Sequence, residues 1–549
     1  MRFKLFFIPL FFLLSINTSF SFTDPDPESE EKKFLNWFNR DPKKDKVYGI
    51  STEKAYDKIL KGKSSKPVIV AIIDSGVDIE HEDIKDKIWI NEKEIAGNGI
   101  DDDKNGYVDD IHGWNFLGNS KGENIKEETL ELTRLYKKYD SLFKDLTEEE
   151  IKPEETELYN KYLKIKQEFE QETQEAEQEL QAITNFERNF KVVDDIIKEL
   201  LQKETYTLED VTAIKPETKE MEQVKNYVMS LMEKGFSHET LTKYKEHYEN
   251  KLMYHLNPEF NPRTLIGDNP ENVLDSLYGN NDVKGAASDH GTHVAGIIGA
   301  VRDNNLGIKG VADNVQLMVL RAVPDGDERD KDIANAIKYA VNNGAQIINM
   351  SFGKSYSPQK QAVDEALKKA EARGVLLVHA AGNDAVNIDT AQNFPNKEYL
   401  ATGNEAKNWL TIGASSNKAD EELVGSFSNF GRESVDVFAP GVDVYSLKPE
   451  NEYGTNSGTS MACPVVSGVA ALIMSYYPTL TAPQVKEIIL LSSVKPKKLK
   501  VNIPSEGQEE EKQKTTLDAI SVTGGVVNAY EAVKLAEKYA RGKQKIVKY

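Results

Sequence analysis

Six consecutive apolar residues, Val68-Ile69-Val70-Ala71-Ile72-Ile73, constrain the fold of this chain more than any other feature. A strand with one wet face alternates apolar and polar residues. An unbroken run instead requires burial on both faces, as in a parallel sheet covered by helices. Leu317–Leu320 is a run of the same kind, and Ile347–Met350 and Val375–Ala380 read the same way with one polar residue each, Asn349 and His379, with helical patterns between them. Residues 67–122 and 264–493 therefore predict an α/β domain.

Residues 123–255 have another texture. They hold 32 acidic and 20 basic residues, a net of −12 within the chain's −21, with one Gly and two Pro. Leu180, Ile183, Phe186, Phe190, Val193, Ile197 and Leu201 recur at spacings of three and four and share one helical face. Leu158, Tyr162, Ile165 and Phe169 do the same upstream, and Lys219–Glu233 and His238–Tyr254 fit shorter helices. The pattern predicts antiparallel helices in a hairpin or small bundle. The apolar stripe fades between Gln171 and Glu179, a stretch expected to project into solvent.

The 549 residues are 39% hydrophobic and 29% charged, which excludes a disordered or collagen-like chain. The acidic excess lacks the basic stripe that nucleic acid would require. The single cysteine, Cys463, excludes an intrachain disulfide and a CxxC redox motif. At the N-terminus, Arg2 and Lys4 precede a twelve-residue, largely apolar stretch from Leu5 to Ile16, then Ser19-Phe20-Ser21. That order reads as a secretory signal peptide over 1–21, too short for a bilayer span. The expected location is periplasmic or extracellular, with no stable membrane anchor after cleavage; no later segment is read as a span. Residues 22–66 read as an N-terminal arm or a short propeptide.

Three segments carry chemistry. Asp74 ends the first strand in Asp74-Ser75-Gly76, where an open α/β sheet binds ligands, although a capping aspartate has the same appearance. His290 opens His290-Gly291-Thr292-His293-Val294-Ala295-Gly296, and Ser460 lies in Gly458-Thr459-Ser460-Met461-Ala462-Cys463-Pro464. A neutral serine hydroxyl needs a base to take its proton and a third group to hold that base. Asp, His and Ser in this chain order match one of the convergent triad arrangements. Asn383, in Ala380-Ala381-Gly382-Asn383-Asp384, follows another strand and places an amide donor for an oxyanion.

Together these segments resemble the subtilisin-like serine proteases, or subtilases, over about 67–122 and 264–493, with the closing Gly524-Gly525-Val526-Val527-Asn528-Ala529-Tyr530. The resemblance implies an α/β fold with a central parallel sheet, helices on both faces and an inserted all-helical subdomain. The catalytic domain is then 67–122 plus 264–540, and the insertion 123–263. It implies an exported endopeptidase acting on protein or peptide substrates, with no organic cofactor. Asp74 would orient the imidazole, His290 would serve as general base, Ser460 as nucleophile and Asn383 as oxyanion donor, while His293 is structural. Ser351, Phe352 and Gly353 would form an edge for the substrate backbone, joined by Ala381 and Gly382. Asp325, Asp327, Glu328 and Asp330 read as a solvated acidic turn, or alternatively as a lure for basic substrate residues. Cys463 reads as a small buried residue, and His81 and His112 as locally hydrogen-bonded.

Two structural calcium sites are expected. Asp101-Asp102-Asp103-Lys104-Asn105-Gly106-Tyr107-Val108-Asp109-Asp110 places oxygens at positions 1, 3, 5 and 9 with Gly at 6, the front of an EF-hand loop. His112 stands where that loop has its bidentate Glu, so Asp109 or Asp110 would replace it. The second site follows from the resemblance, with Asp83 and Asn304 as side-chain ligands. The chain departs from the family in the 216-residue separation of Asp74 and His290. The insertion there reads either as a lid or docking arm with its own partner, or as an inert appendage.

Overall fold

The structure, a computed structural model, describes residues 35–505 and 512–542. The expected signal peptide and Glu509–Glu511 lie outside the described residues. The chain divides into two compact units, one formed by Leu135–Pro258 and the other by the segments on either side.

The larger unit is built on a seven-stranded sheet. Its strands are β1 (Val68–Asp74), β2 (Gly113–Asn115), β3 (Val315–Arg321), β4 (Ile347–Met350), β5 (Leu376–Ala380), β6 (Trp409–Ser415) and β7 (Val437–Pro440). Their order is β2-β3-β1-β4-β5-β6-β7 and every pair is parallel. Successive side chains on a strand point to opposite faces, and both faces are covered. Val70 and Ile72 belong to one core with Leu317 and Val319, while Ala71 and Ile73 belong to the other with Met318 and Leu320. That double burial is why the runs are apolar without alternation.

Six helices of this unit bear on the site: α1 (Asp289–Gly299), α2 (Asp330–Asn342), α3 (Lys360–Ala372), α4 (Thr459–Tyr476), α5 (Ala482–Ser492) and α6 (Ala529–Ala540). The first core takes in α1, α4, α5 and α6, and the second takes in α2 and α3. By length and composition alone α4 is long and apolar enough to cross a membrane, against the expectation that no segment after the N-terminus is apolar enough to do so. Its residues are almost all buried here, from Thr459 through Ser475, as a core helix of the sheet. Strands β1, β3, β4 and β5 end side by side, and the chain switches sides between β1 and β4. A crevice at the carboxyl ends of strands is where such sheets bind ligands.

The smaller unit is helical. Thr156–Leu201 is one continuous helix of 46 residues, joined by Lys219–Glu233 and His238–Asn250. Phe190, Val193 and Ile197 pack with Val224, Val228 and Leu231 in a core of their own. Tyr136 stacks on Phe169 at 4.1 Å. The stretch Gln171–Glu179 does not project freely as expected. Ala176 within it is fully buried, and Glu172 accepts a 2.6 Å bond from Lys251. A small residue marks a close helix approach, so a fading stripe of large side chains is a poor sign of exposure.

Candidate active site

Asp74 is the last residue of β1 and is 2% exposed. Its Oδ1 accepts the Ser75 N–H at 2.8 Å and lies 2.8 Å from His290 Nδ1. His290 is the second residue of α1, and the glycine after it allows that approach. A Cβ on Gly291 would stand 2.1 Å from the Gly76 carbonyl and 3.2 Å from Asp74 Cβ. Burial works to lower the His290 pKa, but the charge and hydrogen bond of Asp74 outweigh it and hold the pKa above its ordinary value. An Nδ1–H directed at a carboxylate leaves Nε2 as the basic nitrogen.

Ser460 is the second residue of α4. Its hydroxyl donates to the Ser351 carbonyl at 3.0 Å rather than to the imidazole. Catalytic hydrogen bonds are often loose without substrate. The Asn383 amide is oriented through its oxygen. Oδ1 accepts from the Thr459 N–H at 2.8 Å and from the Thr459 hydroxyl at 2.9 Å. Only Nδ2 is then left to serve a ligand. A Cβ built on Gly458 would lie 3.5 Å from Asn383 Nδ2 and 3.6 Å from Ser460 N. That glycine therefore leaves open a space flanked by two N–H donors, one of them an unpaired amide in the first turn of a helix.

Comparison with known proteins decides the family. The subtilase family (peptidase S8) matches residues 65–518. This chain belongs to the subtilase family.

It is a serine-type endopeptidase, and subtilisins are among its curated relatives. Subtilisin DY of Bacillus licheniformis is 42% identical over 203 residues, covering 36% of this chain and 67% of that protein. A subtilisin of Bacillus pumilus is 38% identical over 202 residues, covering 36% and 68%. The chain spans only 49% of subtilisin E of Bacillus subtilis, at 38% identity. Residues carrying the Asp, His and Ser motifs of this subtilase thus stand together at the carboxyl ends of the sheet.

Other expected residues fall into place around them. Ser351, Phe352 and Gly353 follow β4. Phe352 gives its carbonyl to His379 Nε2 at 2.8 Å, while burial lowers the His379 pKa to about 4. Ala381 and Gly382 follow β5, and the Gly382 N–H donates to the Thr459 hydroxyl at 3.0 Å. His293 faces the Gly454 carbonyl at 3.2 Å inside the core, and Cys463 is fully buried with its thiol pushed up to about 12. Thr459 and Asn393 went unnoticed in the sequence. Asn393 Nδ2 donates to the Ala381 carbonyl at 2.8 Å, and its Oδ1 would lie 2.3 Å from a Cβ on Gly353. It fills the gap between the segments after β4 and β5. The acidic run after β3 is neither solvated nor open. Glu328 and Asp330 are buried, Asp327 accepts the Glu131 N–H at 2.7 Å, and Asp330 pairs with Lys354 at 2.9 Å.

The cation-binding candidates sort differently from their order in sequence. Asp83 is fully buried, receives the Asn304 amide at 2.6 Å and keeps Oδ2 without a partner. In the loop, the oxygens that converge are those of Asp101, Asp103 and Glu94, all within 4.8 Å of one another. Glu94 is 9% exposed and its buried Oε2 has no partner. The other loop candidates point elsewhere. Asp109 accepts the N–H groups of Asn98 and Gly99, and Asp110 holds Asn91, Asn105 and Tyr339. Asn105 Oδ1 takes the Tyr107 N–H.

Proposed function

We propose that this subtilase is an exported endopeptidase that cleaves peptide bonds through Asp74, His290 and Ser460, with Asn383 as oxyanion donor. The observation that carries the reading is the pairing of His290 Nδ1 with buried Asp74 at 2.8 Å, beside Ser460 at a helix start whose threonine orients Asn383. His290 Nε2 removes the Ser460 proton as Oγ attacks the carbonyl carbon, and Asp74 stabilises the imidazolium. The tetrahedral oxygen receives Asn383 Nδ2 and the Ser460 N–H. His290 then protonates the leaving amine, and water repeats the sequence on the acyl-enzyme. Ser351–Gly353, with Ala381 and Gly382, takes the acyl side of an extended protein or peptide substrate. The composition Arg2 to Ser21 supports export to the periplasm or medium.

Calcium fits both carboxylate clusters as a structural ion. Each has one buried carboxylate oxygen lacking a partner, Asp83 Oδ2 or Glu94 Oε2, and Asn304, whose nitrogen now faces Asp83, would turn its amide to offer oxygen. Asp83 with Asn304, and Asp101 with Asp103 and Glu94, would hold it. Asn105, Asp109 and Asp110 would support the loop. Bound calcium would offset buried negative charge in each cluster.

The test is fluorophosphonate labelling of the purified protein beside Ser460→Ala. Labelling of the wild type alone is expected. A wild type that does not label in calcium, or a Ser460→Ala that does, removes the triad assignment.

A further inference from the structure

The segment that leads out of the catalytic unit toward the helical residues does not leave freely. Its backbone pairs in parallel with the edge that follows β3: Asp325 N–H donates to the Lys126 carbonyl at 2.8 Å, and Glu128 N–H to the Asp325 carbonyl at 2.8 Å. The fit is close, since a Cβ on Gly326 would stand 2.1 Å from the Glu128 carbonyl. After β4 a second edge has an outer partner of its own. Lys354 exchanges both backbone bonds with Phe394, at 3.0 and 2.8 Å.

Consecutive residues of an extended strand direct their N–H and C=O groups to opposite sides. Asp325 gives its C=O and Lys354 its N–H to outer partners, so across each planar trans peptide the Gly326 N–H and the Gly353 C=O turn the other way. Among the described residues no backbone bond reaches the N–H of either glycine.

Side chains tie the two edges together. Lys354 Nζ, 1% exposed, reaches Glu131 at 2.8 Å, Asp330 at 2.9 Å and the Glu328 carbonyl at 2.7 Å. Glu131 pairs in turn with Arg134 at 2.7 Å, and Arg134 donates to the Asp327 carbonyl at 3.2 Å. Glu128 pairs with Arg329 at 2.8 Å. Burial works to raise the Glu131 carboxyl, but the two cations hold it well below the usual carboxylate range. This is a desolvated network rather than a set of surface pairs, with only Arg134 Nε and Glu328 Oε1 among its buried polar atoms left without a partner.

We infer that residues 126–134 are a bolt that fixes the separation of the two edges, making Glu131 and Lys354 positioning residues for the acyl-side residues of the substrate remote from the scissile bond. The inference rests on the reading of Ser351–Gly353 as a substrate edge. A peptide lying between the Gly326 and Gly353 edges would gain backbone hydrogen bonds with each added residue only while that gap stays matched to one strand. The geometry at Asp74, His290 and Ser460 does not involve the bolt.

The test is kcat/KM on peptide amides with one, two and four residues on the acyl side, measured for wild type, Glu131→Gln and Lys354→Met. Wild type is expected to gain with length, and each variant to lose about threefold to tenfold of that gain, the scale of one misplaced backbone hydrogen bond. Glu131→Asp, which keeps the charge but withdraws the carboxylate by one methylene, is expected to fold and to show the same length-confined loss. The inference is overturned if folded variants keep the wild-type gain, or if they slow by one factor at every length. A wild type that labels with fluorophosphonate yet shows no gain with length also overturns it, while leaving the triad reading intact.

Discussion

Single atoms at the site carry opposite duties, and substitutions should separate them. Asn383 is held by its oxygen, so on the proposed reading Asn383→Ala removes an Nδ2 donor that matters only once the carbonyl oxygen becomes an oxyanion. We expect kcat to fall about 10²–10³-fold with KM nearly unchanged, a magnitude known from subtilisin itself. Steady-state kinetics on one peptide amide checks it. For His290, the Asp74 charge is what keeps the pKa above its ordinary value against burial. The ring must be neutral to act as a base, so activity is lost as pH falls through that raised pKa. Asp74→Asn removes the main opposition to burial and leaves only the weaker charge of Asp289. The acid limb of its residual kcat/KM should therefore move to lower pH, along with a rate loss of about 10⁴-fold. An acid limb that stays in place or moves upward would show that Asp74 does not set the base.

Elements show what a sequence can and cannot announce. β1 and β3 were legible because double burial leaves an unbroken apolar signature, whereas β2 is only Gly113-Trp114-Asn115 and carries no period at all. The proposed triad residues stand in small-residue motifs that tight helix–sheet contacts demand, and those motifs are what the sequence displays. The acidic run after β3 looked solvated because its counter-ions, Arg134 and Lys354, are distant in sequence and meet it only in the fold. Glu94 was missed for a similar reason, since it lies outside the Asp101–Asp110 pattern that mimics an EF-hand front. Its place beside Asp101 and Asp103 gives the loop a test. Calcium at a hundredfold excess over Kd stabilises a native state by about 2.7 kcal/mol. Glu94→Gln and Asp101→Asn should each shrink the calcium-induced rise in Tm, while Asp109→Asn should leave the calcium response largely in place. An undiminished rise in Glu94→Gln, read by scanning calorimetry with and without chelator, would remove Glu94 from the ligand set.

At the scale of the whole molecule, the question is what the helical unit contributes to a peptidase. The two cores that flank the sheet draw on residues 37–116 and 283–539, and the helical unit has a core of its own around Phe190 and Val228. Units with separate cores can fold separately. Replacing residues 135–258 with a short Gly/Ser linker keeps the triad, both edges and the 126–134 bolt. The shortened protein is expected to label at Ser460 and to cleave small peptides at the wild-type rate within about threefold, because none of the groups doing the chemistry has been removed. Folded protein substrates distinguish the two readings of the unit. Slower cleavage of a protein substrate with an unchanged peptide profile makes the helices a docking arm, whose partner is the substrate or a protein that delivers it. Equal cleavage of both classes makes them an appendage. A shortened chain that folds but no longer labels would show instead that the helical residues act on the triad itself.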